Sequence, residues 1–275
     1  MISNQTLDVL NSYIERLNKV AVACSGGIDS MLLAHIANNV LSNNAVILHS
    51  VTPAVQSEST KRFINWAKRQ SWQFELISSK EFSDQNYLKN PINRCYYCKT
   101  NLYKEISSYL GSNNKEDYII ISGTNLDDLK EYRPGLNAAL ENEVKHPFVD
   151  CSVTKNNIRE LAKDLNIPFH NIPSSPCLSS RIYTATEVTK LRLEFIEKAE
   201  NYIRSILGIE VVRVRIREAN ALIETTLEQQ HLINRDILQS INIIAKEIGL
   251  ELESINLDQA PYSPGRSFIS SINLR

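Results

Sequence analysis

The chain has 275 residues, 43% hydrophobic and 22% charged, with 30 Lys and Arg against 31 Asp and Glu for a net charge of −1. That length holds one large or two modest domains with a real core, and a charge near zero gives no global reason to expect nucleic acid or an acidic membrane surface. Five cysteines, an odd count with two in one C-x-x-C, suit a reducing interior rather than a secreted disulfide framework.

The first twenty residues are polar and amphipathic, without the continuous apolar stretch of a signal peptide. No uncharged apolar run approaches the ~18 residues of a membrane span, so the expectation is a soluble, cytoplasmic protein. Leu7, Leu10, Tyr13, Ile14 and Leu17 recur at helical spacing and predict a helix over 5–18. "KVAVAC" at 19–24 reads as a buried strand, "SGGIDS" as a loop, and "MLLAHIANNVL" as a helix. "AVILHSV" at 45–51 is a second strand, 57–71 a helix with Val55, Phe63, Trp66 and Ala67 on one side, "WQFELIS" at 72–78 a third strand, and "DYIIISGTN" at 117–125 a fourth. Strands alternating with helices mark an α/β protein with a parallel sheet covered on both faces. Ligands of such sheets lie beyond the carboxyl ends of the strands, which directs attention to Ser25–Ser30, His49–Ser50 and Ser122–Asn125.

Prolines and hydroxyl residues gather in "PFHNIPSSPCLSSRIYTAT" at 168–186, and the domain boundary is expected there, dividing 1–175 from 176–275. Beyond it the pattern predicts a helix over 186–207, a hairpin of "EVVRVRIRE" and "ALIETT" turning at Ala219–Asn220, a helix over 228–247 and a strand "ELESINL", a smaller α/β unit.

The loop "SGGIDS" sets two glycines, two serines and an aspartate between a buried strand and a helix. Glycines let backbone N–H groups turn inward at close range, and the helix N-terminus adds positive potential, so the loop suits a phosphate. Ser25 and Ser30 are further donors, and Asp29 can cap the helix or hold magnesium. It is neither G-x-G-x-x-G nor the lysine-bearing G-x-x-x-x-G-K-[ST] loop. A plain tight turn is the alternative. S-G-G-x-D-S after an apolar strand resembles the PP-loop of the ATP pyrophosphatases, a group that includes GMP synthetase, NAD synthetase, asparagine synthetase and tRNA thiolases. The resemblance implies cleavage of ATP between its α- and β-phosphates.

Further motifs follow in order: "RCYYCK", "SGTNLDDLKEYRPG" with Asp127, Asp128, Tyr132 and Arg133, "PCLSSR" with Cys177 four residues before Arg181, and "VRVRIREANALIE". Taken alone, the acidic run reads as a solvated loop. Cys177 alone reads as an inert thiol, or as one that a nearby guanidinium would favour as thiolate. Arg213 and Arg215 alternate along a strand and share a face, with Glu224 on the partner strand, an arrangement that cross-strand ion pairing explains by itself. Together with "YSPGRS" at 262–267, the set resembles the LarE-type ATP-dependent sulfur transferases of nickel-pincer cofactor synthesis over nearly the whole chain.

That resemblance implies ATP contacts from Ser25, Gly26, Gly27, Asp29, Ser30, Ser50, Gly123, Asn125, Arg133 and Arg181, with Mg²⁺ as cofactor. It implies catalytic roles for Asp29 and Cys177, and binding of an anionic, nicotinate-derived dicarboxylate mononucleotide by Arg213, Arg215, Glu224 and Arg266. ATP would adenylate a substrate carboxylate, and sulfur would then replace AMP to give a thiocarboxylate. Within that resemblance two variants are expected. Cys177 alone can give up its own sulfur, or Cys95, Cys98 and Cys177 can hold a [4Fe–4S] cluster with one open iron for exogenous sulfide. Zinc is the competing metal reading of the pair, without an obvious fourth ligand, and Cys24 and Cys151 read as small core residues. A sulfide or sulfur donor and a homo-oligomer are expected partners; a membrane or nucleic acid is not. The rival readings are a PP-loop tRNA thiolase, an ammonia-fed synthetase, and an ATP-sensing regulator without chemistry.

Overall fold

The computed structural model describes residues 2–130, 132–173 and 175–268. In chain order the elements are α1 Ile2–Leu17, β1 Val20–Ala23, α2 Ile28–Leu41, β2 Ala45–Ser50, α3 Ser57–Arg69, β3 Phe74–Ile77, α4 Gln85–Leu88 and α5 Arg94–Ser112. They continue with β4 Ile119–Ser122, α6 Gly135–Glu141, α7 Pro147–Asp150, α8 Lys155–Asp164, α9 Lys190–Leu207, β5 Val212–Arg217, β6 Asn220–Thr225, α10 Arg235–Glu247 and β7 Ser254–Leu257. The chain forms two compact units, one from the residues up to Glu81 with Cys95–Ser175, the other from Phe82–Arg94 with the residues from Pro176 onward.

The first unit is built on a four-stranded parallel sheet in the order β3-β2-β1-β4. Side chains alternate along each strand, and both sets are buried. Val20, Val22 and Ile47 join Leu10, Ile14, Met31, Phe63, Trp66 and Leu161 on one face. Ala21, Ala23, Val46 and Leu48 join Tyr103, Ile106 and Ala138 on the other. Burial of both faces is why these strands read as unbroken apolar runs, and each large side chain so buried contributes roughly 1.5–3 kcal/mol. Cys24 lies in this core and Cys151 packs against it.

The structure extends and corrects several boundaries. Helix α2 begins at Ile28, inside the glycine-rich motif, rather than at Met31. α5 and α8, which the sequence reading leaves unassigned, are full helices, and α8 opens with a capping box between Thr154 and Asn157.

In the second unit, β5 and β6 form an antiparallel hairpin and β7 pairs parallel to β6. Arg217 opposes Asn220, so the turn is Glu218–Ala219, one residue earlier than expected, with Glu218 at φ +55°. The helix predicted over 228–247 is broken: a 3-10 turn covers Leu227–Leu232, and Asn234 then caps α10 by accepting from the Ile237 N–H. Gly208, at φ +64°, ends α9 in the left-handed conformation.

Candidate functional site

The strand order reverses between β1 and β4, and in open parallel sheets the crevice beyond that reversal is where ligands bind. Three segments of the first unit meet there. The Ser25–Ser30 loop leaves β1 and enters α2. Gly26 has φ +80°, and a β-carbon on it would lie 2.6 Å from the Ser59 carbonyl oxygen, so only glycine fits. Arg62 donates to the Gly26 carbonyl at 2.8 Å and fixes the loop from α3. His49, whose pKa burial pulls below the ordinary value, bridges the Cys24 carbonyl and the Thr60 hydroxyl at 2.9 Å each.

Gly27 is the N-cap of α2 and no side chain caps the helix. The first-turn N–H groups of such a helix lack intrahelical acceptors. Ser25 and Ser30 sit beside them with hydroxyls 3.1 Å apart, and the Ser30 hydroxyl also accepts from the Ser25 N–H at 3.0 Å. The second segment, after β4, comes as close as backbone allows. A β-carbon on Gly123 would stand 2.8 Å from the Ser30 nitrogen and 2.9 Å from the Asp29 carbonyl carbon. Ser122 meets His146 Nδ1 at 2.9 Å.

The third segment is made of residues 125–130 and Arg133 with the start of α8. Asn125 is buried. Its side chain accepts from the Asp127 N–H at 3.0 Å and its own N–H donates to Asp128 at 3.1 Å. Arg133 pairs with Asp128 at 2.8 Å, so the loop the sequence reading compared to a solvated charge run is internally bonded. Lys155, whose N–H is held by Asp127 at 2.9 Å, forms an ion pair with Asp29. Burial raises the Asp29 pKa above its ordinary value although Lys155 opposes this. The sequence reading had no signal for Lys155, 126 positions from Asp29.

This arrangement offers helix N–H groups without intrahelical acceptors, two hydroxyls and one ammonium as donors, a set able to bind a polyphosphate, with one carboxylate beside them. Magnesium bound with nucleotide takes few carboxylates and several phosphate oxygens, so Asp29 fits a ligand role. Ser50, at the end of β2, is instead tied to Ser79 at 2.6 Å, and Ser79 to the buried Glu81 at 2.7 Å. Cys95 and Cys98 stand three residues apart at the start of α5, on one side of the helix and half-buried.

In the second unit Cys177 is exposed, the others of the five thiols being buried or half-buried. It precedes the turn Leu178–Arg181. Arg181 does not approach its sulfur as an open guanidinium. It is 1% exposed, binds Glu200 at 3.0 and 3.2 Å, and donates to the carbonyls of Pro176 at 2.7 Å and Cys177 at 3.1 Å. Burial works against the Glu200 carboxylate, but Arg181, with Arg213 and Arg204 near, holds its pKa below the ordinary value. Arg215 is likewise buried, bonded to Glu224 at 2.6 Å and to the carbonyls of Ser180 and Ser263. Arg266 reaches the other oxygen of Glu224 at 3.0 Å and Asp258 at 3.1 Å. Burial raises the Glu224 pKa against both arginines. The Arg181–Glu200 and Arg215–Glu224 pairs are buried rather than on a solvated face, and Arg266 is half-buried. Arg213 lies over the Tyr262 ring at 5.2 Å and donates to the Val212 carbonyl.

A glycine-rich loop at the reversal point of a four-stranded parallel sheet, flanked by helices, defines an α/β protein compatible with the Rossmann-like PP-loop fold. Among known proteins, an uncharacterized protein of Synechocystis is 35% identical over 84% of this chain and 85% of its own length. An uncharacterized protein of Methanocaldococcus jannaschii is 31% identical over 87% and 90%. The pyridinium-3,5-bisthiocarboxylic acid mononucleotide synthase of Lactiplantibacillus plantarum is 28% identical over 78% of this chain and 77% of that enzyme. The chain belongs to one family with the Synechocystis and Methanocaldococcus jannaschii proteins and is similar to the Lactiplantibacillus plantarum synthase. No family model matches it. No helix among the described residues is long and apolar enough to cross a membrane.

Proposed function

We propose that the protein is an ATP-dependent sulfur transferase that converts a carboxylate of a pyridinium dicarboxylate mononucleotide into a thiocarboxylate, in nickel-pincer cofactor synthesis. The similarity to the Lactiplantibacillus plantarum synthase supports the substrate class. The observation that carries the reading is Cys177, an exposed thiol on a turn whose carbonyls are fixed by buried arginines.

A carboxylate resists nucleophiles until its oxygen is made a good leaving group. In the proposed first step a substrate carboxylate oxygen attacks the α-phosphorus of ATP and pyrophosphate departs. The N–H groups at the start of α2, Ser25, Ser30 and Lys155 take up the charge that develops on it. Magnesium at Asp29 would add Lewis-acid neutralisation of the same charge. Gly123 and Asn125 shape the wall opposite the loop, and Arg133 braces Asp128 within it. In the second step a sulfur nucleophile attacks the acyl carbon and expels AMP. If the sulfur is that of Cys177, breaking its Cβ–S bond, with loss of the Cα proton, releases the thiocarboxylate and leaves dehydroalanine. Arg213 and Arg266 are both half-buried rather than sealed in the core, and they suit the acceptor's anionic groups.

Cys95 and Cys98 support the recyclable variant, in which they and Cys177 would be the thiolate ligands of an iron–sulfur cluster carrying exogenous sulfide. Anaerobic reconstitution with iron and sulfide analysis tests it, and a chain that retains neither rules it out. The function itself is tested by ATP–pyrophosphate exchange. The reading requires exchange that depends on the dicarboxylate mononucleotide, and a nucleotide sensor would show none.

A further inference from the structure

The segment Phe82–Arg94 belongs to the second unit although it lies more than eighty residues before the rest of it. Three of its side chains grip the Cys177 loop. Tyr87 meets the Ser179 hydroxyl at 2.7 Å. Asn90, 1% exposed and at φ +53°, uses its side-chain amide to hold the carbonyls of Ile182, Tyr183 and Thr186 at 3.3, 2.8 and 2.9 Å, while its own carbonyl accepts from the Ala185 N–H at 2.9 Å. Arg94, 2% exposed, donates through one nitrogen to the Asn90 side chain and to the Ser179 carbonyl at 2.9 Å.

Arg94 is the unusual member. Among the described residues it has no carboxylate partner, its second terminal nitrogen is buried without an acceptor, and the ring of Phe268 lies 5.5 Å from its guanidinium carbon. A buried cation balanced only by neutral groups disfavours the folded state. A side chain as long and less polar would fill the same space without that penalty. The Ser179 carbonyl would keep its bond from the Ile182 N–H at 3.1 Å. Stability therefore does not explain Arg94, whereas loop geometry does. With Arg181 on Pro176 and Cys177, and Arg215 on Ser180, three buried guanidinium groups hold four carbonyls around the thiol.

We propose that Arg94, aligned by Asn90, is a positioning residue for Cys177, holding the 177–186 loop so that the thiol is presented to its acceptor. This rests on the sulfur-transfer reading above. The test compares wild type with Arg94→Met and Arg94→Lys in the full chain. Four readouts are followed: melting temperature, ATP–pyrophosphate exchange, thiolated mononucleotide formed from ATP and sulfide, and amide hydrogen exchange across 177–186.

For Arg94→Met the expected result is melting within about 4 °C of wild type and unchanged pyrophosphate exchange. Its kcat for thiolated product should be lower by about a hundredfold, the scale of a misplacement near 1 Å. The Ser180 and Ile182 amides, which donate to Cys177 and Ser179, should exchange about tenfold faster or more. Arg94→Lys should recover part of the lost rate through a single bond to Ser179. Wild-type product formation in Arg94→Met overturns the proposal. So does a parallel fall in melting temperature, pyrophosphate exchange and product, which would make the residue merely structural. Should wild type itself form no thiolated product, the functional reading fails, and amide exchange alone then decides whether the clamp exists.

Discussion

Replacing Gly123 with alanine adds one methyl group at the closest approach of β4 to α2. The new carbon would lie 2.8 Å from the Ser30 nitrogen and 2.9 Å from both the Ser30 α-carbon and the Asp29 carbonyl carbon, all backbone, against the 3.4 Å at which ordinary contact begins. Restoring that spacing requires 3.4 − 2.8 = 0.6 Å of separation between the end of β4 and the first turn of α2. Neither side yields cheaply, because Ile28, Met31 and Leu32 on α2 and Ile121 on β4 are locked in one core. Overpacking of this kind costs about 1–3 kcal/mol. The same shift moves the Ser30 N–H and the Asp29 carboxylate relative to the phosphates of the proposed ATP site, which is expected to cut pyrophosphate exchange by about 10- to 100-fold. Urea unfolding and ATP–pyrophosphate exchange are the assays. Gly111→Ala, where nothing lies within 4 Å near the end of α5, is the control and is expected to stabilise by a few tenths of a kcal/mol. Wild-type stability and exchange in Gly123→Ala would refute the claim that contact between β4 and α2 shapes the phosphate site.

Three other outcomes are expected. Glu200→Gln strands the buried Arg181 guanidinium and should cost about 3–5 kcal/mol in urea unfolding; a loss below about 1 kcal/mol would mean that water reaches the pair. Gly208→Ala forces a β-carbon into the left-handed end of α9 and should cost about 1 kcal/mol by the same measurement. Stability should fall in two stages as pH drops. Burial keeps His35, His49 and His146 below their ordinary 6.5 in the folded state, so the unfolded chain binds more protons once pH falls through 6.5. Glu200 is held below its ordinary 4.5, so its contribution is complete above 4.5 and is lost as pH falls through the lower folded value. A flat unfolding free energy from pH 7 to 5 would contradict the first stage.

The parallel sheet was legible because both faces of β1 and β2 are buried, which writes continuous apolar runs into the sequence. The turn between β1 and α2 was legible because its glycines and serines lie in six consecutive residues. What escaped is whatever depends on distant partners. Lys155 meets Asp29 across 126 positions, and Arg94 meets Ser179 across 85. Arg181 reads as an anion-binding or thiolate-favouring residue from its closeness to Cys177, and only the fold shows Glu200 occupying its guanidinium. α5 was missed because Lys, Asn and Tyr blur its apolar stripe, yet Tyr103, Ile106 and Leu110 lie at helical spacing and face the core. The break before α10 was written locally, in Asn234, but the surrounding helical pattern masked it.

The central claim is that ATP drives sulfur onto a carboxylate through Cys177. Its most direct test is mass measurement of acceptor and protein after incubation of wild type and Cys177→Ala with ATP, magnesium, sulfide and the pyridinium dicarboxylate mononucleotide. Wild type should convert the acceptor to a thiocarboxylate. Loss of one H₂S at Cys177 would mark the sacrificial route, and an unchanged protein with many products the recyclable one. Cys177→Ala should retain acceptor-dependent pyrophosphate exchange and form no thiolated product. Thiolation undiminished in Cys177→Ala, or none in wild type despite pyrophosphate exchange, would contradict the account.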